Sequence, residues 1–511
     1  MAQRVARNSL LSAIASGATM LASAGTMIIA ARTLGVEGTG IVTLSLWLVT
    51  MAVTIAGLGL PTTVTRYVAE AGDAARQRAL ARRFFRPTLG AALCLLALAG
   101  SAAAALATGR VDVIWSALAP ETLGARIEIW LILGLTGAAQ ILGQYHLGVL
   151  RGQQDFRAIA ALTLAGFGVQ MVATLVGALA FGIAGALAGC ALGALPAALA
   201  AARAALDPRG RAEPPSDALV TRMRRFALYT WAGSVMSAFV WARIEIYFLQ
   251  RSEGYEAVGL FTAGLTLASL ATQGPLLLTG ALLPHFANAH ARGAGDRVRE
   301  AYASATRLIA FLVFPAGLGL AAIMPVVMPL VFGESFRPAV PVASLLVAVA
   351  AIGATSAVGT HLVNALERSD FVFYSSLCGA VLALTAGFTL VPAFGLIGAG
   401  AARALIQLAM VGAGLWFITR RLGCPAPFRD LGKLFVAASL AALAARSCLH
   451  LIPGPLALLA ALPAAALVYG ICVRRLHALT AADRDRLRGA LSLLPGPLGL
   501  CGRPVLLLIR N

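Results

Sequence analysis

Charges set inside long apolar stretches are the most telling residues of this 511-residue chain. Arg403 stands near the middle of an apolar run at 395–418, with Gln407 one helical turn on and Gly400 on its other side. If that run crosses hydrocarbon, a guanidinium there costs about 2.5–3.5 kcal/mol, so it must face a partner or a cavity. It is read either as a binding group for an anion such as phosphate, whose oxygens match the planar guanidinium fork, or as a structural bond to a neighbouring helix. Arg243 and Glu245 lie in a second run at 227–248. Two residues apart is about 200° around a helix, so they cannot pair with each other on one face. Arg243 is a further candidate for substrate charge. Glu245 is a candidate coupling group that takes up a proton, or half of an ion pair between helices. Gln140 and Gln144 stack one turn apart in a run at 127–149. Their amides suit either the hydroxyls of a polar ligand or a helix–helix hydrogen bond.

Other chemistries lack their residues. The seven cysteines show no CxxC spacing, and most sit inside apolar runs, which argues against a disulfide framework or a metal site. Asp483-Arg484-Asp485, the single Asp-x-Asp, lies in a basic tail, so no nucleotide-sugar site is expected and no enzyme is read here. No cofactor is expected either. The net charge of +19 comes from arginines placed between the apolar runs, with a single lysine, Lys433. Without interleaved aromatics this is not a nucleic-acid surface.

The elements that position these residues are membrane spans. Hydrophobic residues make up 59% of the chain and charged ones 12%, about half the charge of a soluble domain. The apolar residues fall into runs of the ~20 residues that cross a bilayer. About fourteen spans are expected, near 10–31, 41–60, 88–108, 127–149, 159–180, 183–202, 227–248, 258–283, 308–331, 341–363, 371–391, 395–418, 433–450 and 455–473. The fold class is therefore all-α and polytopic. With the N-terminus inside, 32 of the 40 basic residues fall in inner segments and five in outer ones, so both termini are expected to be cytoplasmic. The expected domains are a six-helix lobe at 1–206, a Pro-rich linker at 207–226, a second six-helix lobe at 227–420, two extra spans at 421–473 and a cytoplasmic tail at 474–511. In that tail Thr480 and Asp483 can form a capping box for a short helix, expected simply to lie against the cytoplasmic face.

The two lobes carry an internal repeat. Gly35-Val36-Glu37-Gly38-Thr39-Gly40 parallels Gly254-Tyr255-Glu256-Ala257-Val258-Gly259 at an offset of 219. His146 through Asp155-Phe156 parallels His361 through Asp370-Phe371 at 215, and Phe181-Gly182-Ile183-Ala184-Gly185-Ala186 parallels Phe394-Gly395-Leu396-Ile397-Gly398-Ala399 at 213. Six spans per repeat is an even number, so both copies enter from one side, related by an axis along the membrane normal. Such lobes suit an alternating-access transporter.

Residues 30–70, from Ala30-Ala31-Arg32-Thr33-Leu34-Gly35 through Gly57-Leu58-Gly59-Leu60 to Arg66-Tyr67, resemble the opening hairpin of the polysaccharide-specific transport family. These are O-antigen-type flippases of the multidrug/oligosaccharidyl-lipid/polysaccharide (MOP) superfamily. Arg243-Ile244-Glu245, Gly254 and Val258-Gly259-Leu260-Phe261 resemble that family's seventh helix and following hairpin, and the resemblance covers roughly residues 5–420. It implies movement of a polyprenyl-diphosphate-linked oligosaccharide across the bacterial inner membrane, with polysaccharide polymerase or ligase machinery as partners. The first span holds only Ser12, Ser16, Thr19, Ser23 and Thr26. It lacks both the acidic residue of the superfamily's cation-coupled multidrug exporters and the Arg-Asp pair of its lipid II flippases. An ion-coupled multidrug exporter is the alternative function. A glycan polymerase or ligase would be expected to expose a large outer loop, and the longest here is 109–126.

Overall fold

The computed structural model describes residues 2–108, 127–206, 217–241, 244–276, 279, 282–452 and 454–492. Arg243, part of the linker and the end of the tail lie outside the described residues. Those described form fifteen α-helices and one 3-10 segment: α1 Ala2–Ala56, α2 Leu60–Glu70, α3 Ala74–Ala107, α4 Ile127–Gly152, α5 Phe156–Leu206, α6 Asp217–Trp241, α7 Glu245–Leu276, α8 Leu282–Ala291, α9 Gly295–Phe332, the 3-10 turn Glu334–Ala339, α10 Val340–Ala354, α11 Ser356–Ala365, α12 Ser369–Arg420, α13 Phe428–Leu451, α14 Ala457–Arg475 and α15 Ala481–Ser492. Ten helical stretches among them are long and apolar enough to cross a membrane. An all-helical solution is what lipid demands, since each backbone polar group must find its partner within the segment.

Three of the ten stretches are 47, 51 and 51 residues long, too long for one crossing. Each folds at a glycine: Gly35 (φ 73°, ψ −167°) in α1, Gly182 (φ 61°, ψ −135°) in α5 and Gly395 (φ 54°, ψ −130°) in α12. With each of these counted as two legs, and α6 added, the expected fourteen spans are accounted for. A side chain in that region of backbone space is strained by about 1–3 kcal/mol, which is why glycine stands there. The gap anticipated between 31 and 41 is thus not a loop. Helix runs up to Gly35 and resumes directly after it.

Gly254 (φ 82°, ψ −165°) in α7 has nearly the backbone angles of Gly35, and Gly395 nearly those of Gly182. The pairs are those the sequence repeat aligns. The contacts repeat too. A methyl on Gly185 would overlap the Gly177 carbonyl, and one on Gly398 the Leu390 carbonyl, each contact displaced from the other by 213. Gly185, Gly189 and Gly193 form the close-packed face of one leg of α5, against Gly177, Thr174 and Gln170 of the other.

The chain divides into two compact units, Met1–Gly259 and Leu260–Asn511. In the first, α4 packs against α5, α3, α2 and α1, and Leu60, Val64, Tyr67, Val68, Phe84, Tyr145 and Met223 form a core. The Tyr145 hydroxyl donates to the Ala81 carbonyl. In the second unit, α9 is central, packed on α10 and α13, with α13 against α14 and α10 against α12. Phe286, Tyr302, Phe311, Phe314, Val358 and Leu434 fill that core.

Candidate functional site

A cavity of about 830 Å³ in the second unit lies among α9, α13 and α14. Its walls are Phe311, Leu312, Leu320 and Ile323 from α9, Ala441 and Ala445 from α13, and Leu462, Ala465 and Tyr469 from α14. Alanine spacing on α13 (Ala437, Ala438, Ala441 and Ala445, all buried) lets that helix approach closely. Pro315, Ala316 and Gly319 of α9 also line it, and Gly319 leaves open space beside the helix. The Tyr469 hydroxyl is satisfied by donating 2.8 Å to the Phe311 carbonyl. What remains is a hydrocarbon-lined space whose far end changes character: Arg474, His477 and Arg484 line it there.

That basic end is held in place by α15. Asp483 is fully buried (0% exposed) and accepts from Arg307 Nε of α9 at 2.7 Å. Arg307 also reaches Asp430 of α13 at 3.5 Å, so one guanidinium ties three helices together. The capping box is present: the Asp483 amide donates to Thr480 Oγ1 at 3.2 Å, and the Thr480 hydroxyl donates to Asp483 Oδ2 at 2.8 Å. Burial raises the Asp483 pKa, but hydrogen bonds from Arg307, Ser304 and Thr480 outweigh it and hold the carboxyl below the usual carboxylate range. Ser304 also accepts from Arg486 of α15. The tail helix therefore does more than lie on a face: it is bolted to α9 by a buried ion pair.

Arg403 and Gln407 are half-buried on the second leg of α12. Gly400, on the same leg, faces Val342 of α10. The Gln407 amide occupies the space that the missing side chain of Gly353 leaves on α10, so this glutamine is packed between two helices. Gln140 is half-buried and Gln144 exposed on α4. Glu245 is fully buried (0% exposed) in the first turn of α7. Gln140, Gln144 and Glu245 belong to the first unit, Arg403 and Gln407 to the second, so neither unit by itself gathers them all. Arg446 of α13 donates to the Ala322 carbonyl of α9 at 3.3 Å. His361 lies 3.1 Å from the Thr279 hydroxyl.

Sequence reasoning missed two groups. Arg307 falls one residue before the expected span at 308–331 and was counted with the loop, so its deep partner across 176 residues left no local signal. In the first unit Gln170 of α5 donates to Thr26 of α1 at 3.0 Å, beside buried Cys190. Only its position inside an apolar run pointed to it. No group of three or more possible metal ligands occurs among the described residues.

Long apolar helices with half-buried polar side chains mark a multi-pass membrane protein, and the family and solved structures it resembles are those of transporters. The chain belongs to the family described as polysaccharide biosynthesis protein, whose pattern matches residues 5–290. Its fold is that of the MOP superfamily. The lipid II flippase MurJ in an inward closed conformation is similar with a TM-score of 0.67 at 13% identity, over 91% of this chain and 99% of that one. A multidrug resistance MATE transporter in an inward-facing conformation has a TM-score of 0.62 at 16% identity, over 79% of this chain and 94% of that one. A MOP transporter from Pyrococcus furiosus has a TM-score of 0.53 at 15% identity, over 82% and 95%. No curated protein matches the sequence.

Proposed function

We propose that the protein flips a polyprenyl-diphosphate-linked oligosaccharide from the cytoplasmic to the outer leaflet of the bacterial inner membrane, for O-antigen, capsule or exopolysaccharide synthesis. Both termini are cytoplasmic in this reading. The observation that carries it is the cavity of about 830 Å³ in the second unit, apolar along its length and basic at one end. That pattern complements an amphiphile with a long hydrocarbon chain and an anionic head. The family match supports the same substrate class.

The physical problem is to move a polar head across ~30 Å of hydrocarbon while the tail stays in lipid. Arg474, His477 and Arg484 meet the anionic head at the basic end of that cavity; outside its lining, Arg403 supplies charge for the diphosphate along the path, with Gln407 and Arg243 as further binding groups. Gln140 and Gln144 offer amides to sugar hydroxyls. Glu245, enclosed and ionisable, is the coupling group. The two repeats exchange access between leaflets, and the polymerase or ligase that receives the product acts downstream.

Deleting the gene tests the reading. Lipid-linked oligosaccharide should accumulate on the inner leaflet, and reconstituted protein should restore its movement in proteoliposomes. Normal leaflet distribution with raised sensitivity to lipophilic drugs would instead establish a multidrug exporter.

A further inference from the structure

A second cavity, about 390 Å³, lies wholly in the first unit among α2, α3 and α6. Its floor is apolar: Leu58, Leu60, Phe84, Pro87, Leu228 and Trp231. Arg83 and Arg86 of α3 and Arg224 of α6 line its rim. Among the described residues none of these three makes an ion pair or a hydrogen bond. Of the nearby acids, Glu70 binds Arg66 at 2.9 Å and Arg222 at 3.0 Å, Asp73 caps α3 through the Ala75 amide, and Asp217 stands in the first turn of α6, two turns before Arg224. Three like charges around an apolar pocket repel one another and call for an anion.

The depth of the site identifies that anion's source. Arg83 and Arg86 immediately precede the apolar run at 88–108, and Arg224 precedes the one at 227–248. The rim therefore sits where hydrocarbon gives way to headgroups, on the arginine-rich side of the protein. Basic residues at that depth attract anionic lipid. The pocket is small for a ligand site, too small to enclose an oligosaccharide head but adequate for a phosphate and the carbons beside it.

The pocket also adjoins a break. Between α1 and α2 the chain passes through Leu58 (φ 48°) and Gly59 (φ 65°), both left-handed. α6 covers this break: a methyl on Gly59 would lie 2.5 Å from the Ala227 carbonyl, and the Trp231 indole donates 2.7 Å to the Ile55 carbonyl. We propose that this pocket binds an anionic phospholipid, its phosphate among Arg83, Arg86 and Arg224 and its first acyl carbons against Leu58, Leu228 and Trp231. The lipid fastens α3 and α6 across the break. This holds whether or not the transported substrate is an oligosaccharide.

The test uses full-length protein, stripped of lipid in detergent and titrated with phosphatidylglycerol, phosphatidylcholine or inorganic phosphate. Bound lipid is counted by native mass spectrometry and Tm is followed. Phosphatidylglycerol should be retained and should raise Tm, and the other two should do neither. The triple variant Arg83→Gln, Arg86→Gln, Arg224→Gln should weaken phosphatidylglycerol binding tenfold or more. Leu228→Trp keeps every charge, alters an exposed side chain and fills the apolar floor. It should weaken binding as well, and it carries the test alone if the triple variant does not fold. Wild-type lipid binding by Leu228→Trp or by a folded triple variant would overturn the proposal. So would equal protection by phosphatidylcholine, or by inorganic phosphate, which marks an ion site. A polyprenyl diphosphate that displaces phosphatidylglycerol and binds more tightly would reassign the pocket to substrate.

Discussion

Arg403 places a charge near the middle of an apolar leg of α12. At the offset of 213 that relates Gly182 to Gly395, its counterpart in the first repeat is Cys190, so the charge belongs to one copy only. If it binds the diphosphate, Arg403→Lys should retain partial flipping, since a point charge still attracts phosphate without the fork. Arg403→Ala should lose a charge-assisted bond of about 1.5–3 kcal/mol, or about 10- to 150-fold in affinity, with membrane abundance near normal. Leaflet assays normalised to protein level check this, and unchanged activity per molecule would assign the arginine to structure. Asp483 makes a different prediction. Its folded pKa is depressed, so its contribution is fully present above the ordinary carboxylate pKa of about 3.9. It is lost only as pH falls through the lower folded value. α15 should stay docked across neutral pH and release in acid. Asp483→Asn removes one partner of a buried pair, a change costing about 3–5 kcal/mol, and should expose α15 to protease at neutral pH. Equal protease resistance in mutant and wild type would show that the ion pair does not hold the tail.

At the scale of elements, glycine positions were readable and long-range pairings were not. The motif Gly-x-Glu at 35–37 and 254–256 marked two reversals, because only glycine tolerates the backbone angles found there. The near-absence of a loop at 180–183 and 391–395 is explained the same way: one glycine makes the whole turn. By contrast, the Arg307–Asp483 pair spans 176 residues and joins two segments that each read as ordinary basic loop. Arg243 lies outside the described residues, and the candidate glutamines could be placed on helices from periodicity but not aimed. Gln407 shows why, since its environment depends on Gly353 of another helix. The hairpin reading predicts that Gly395→Ala, forcing a side chain into φ 54°, destabilises the protein by about 1–3 kcal/mol. Gly412→Ala, in the same helix with open space around it, should be nearly neutral. Thermal unfolding in detergent distinguishes the two, and equal Tm values would remove the conformational explanation.

For the whole molecule, the topology we propose rests on the arginine bias, and labelling can examine it. Cysteine placed at Glu334 should react with an impermeant thiol reagent in intact cells, whereas cysteine at Arg82 should not; labelling of both would reverse or abolish the assignment. The repeat leaves one more trace inside the first unit. A methyl on Gly40 would overlap the Tyr255 carbonyl, and one on Gly259 would overlap the Val36 carbonyl. At the offset of 219, Gly40 answers to Gly259 and Val36 to Tyr255, so each residue touches the copy of its own partner. A contact of that kind is the signature of a twofold homodimer interface, here closed within a single polypeptide. Gly40 and Gly259 meet at its centre, where neither copy has room for a side chain. Because both copies belong to one chain, they need not match, and a charge such as Arg403 stands on one of them where Cys190 stands on the other.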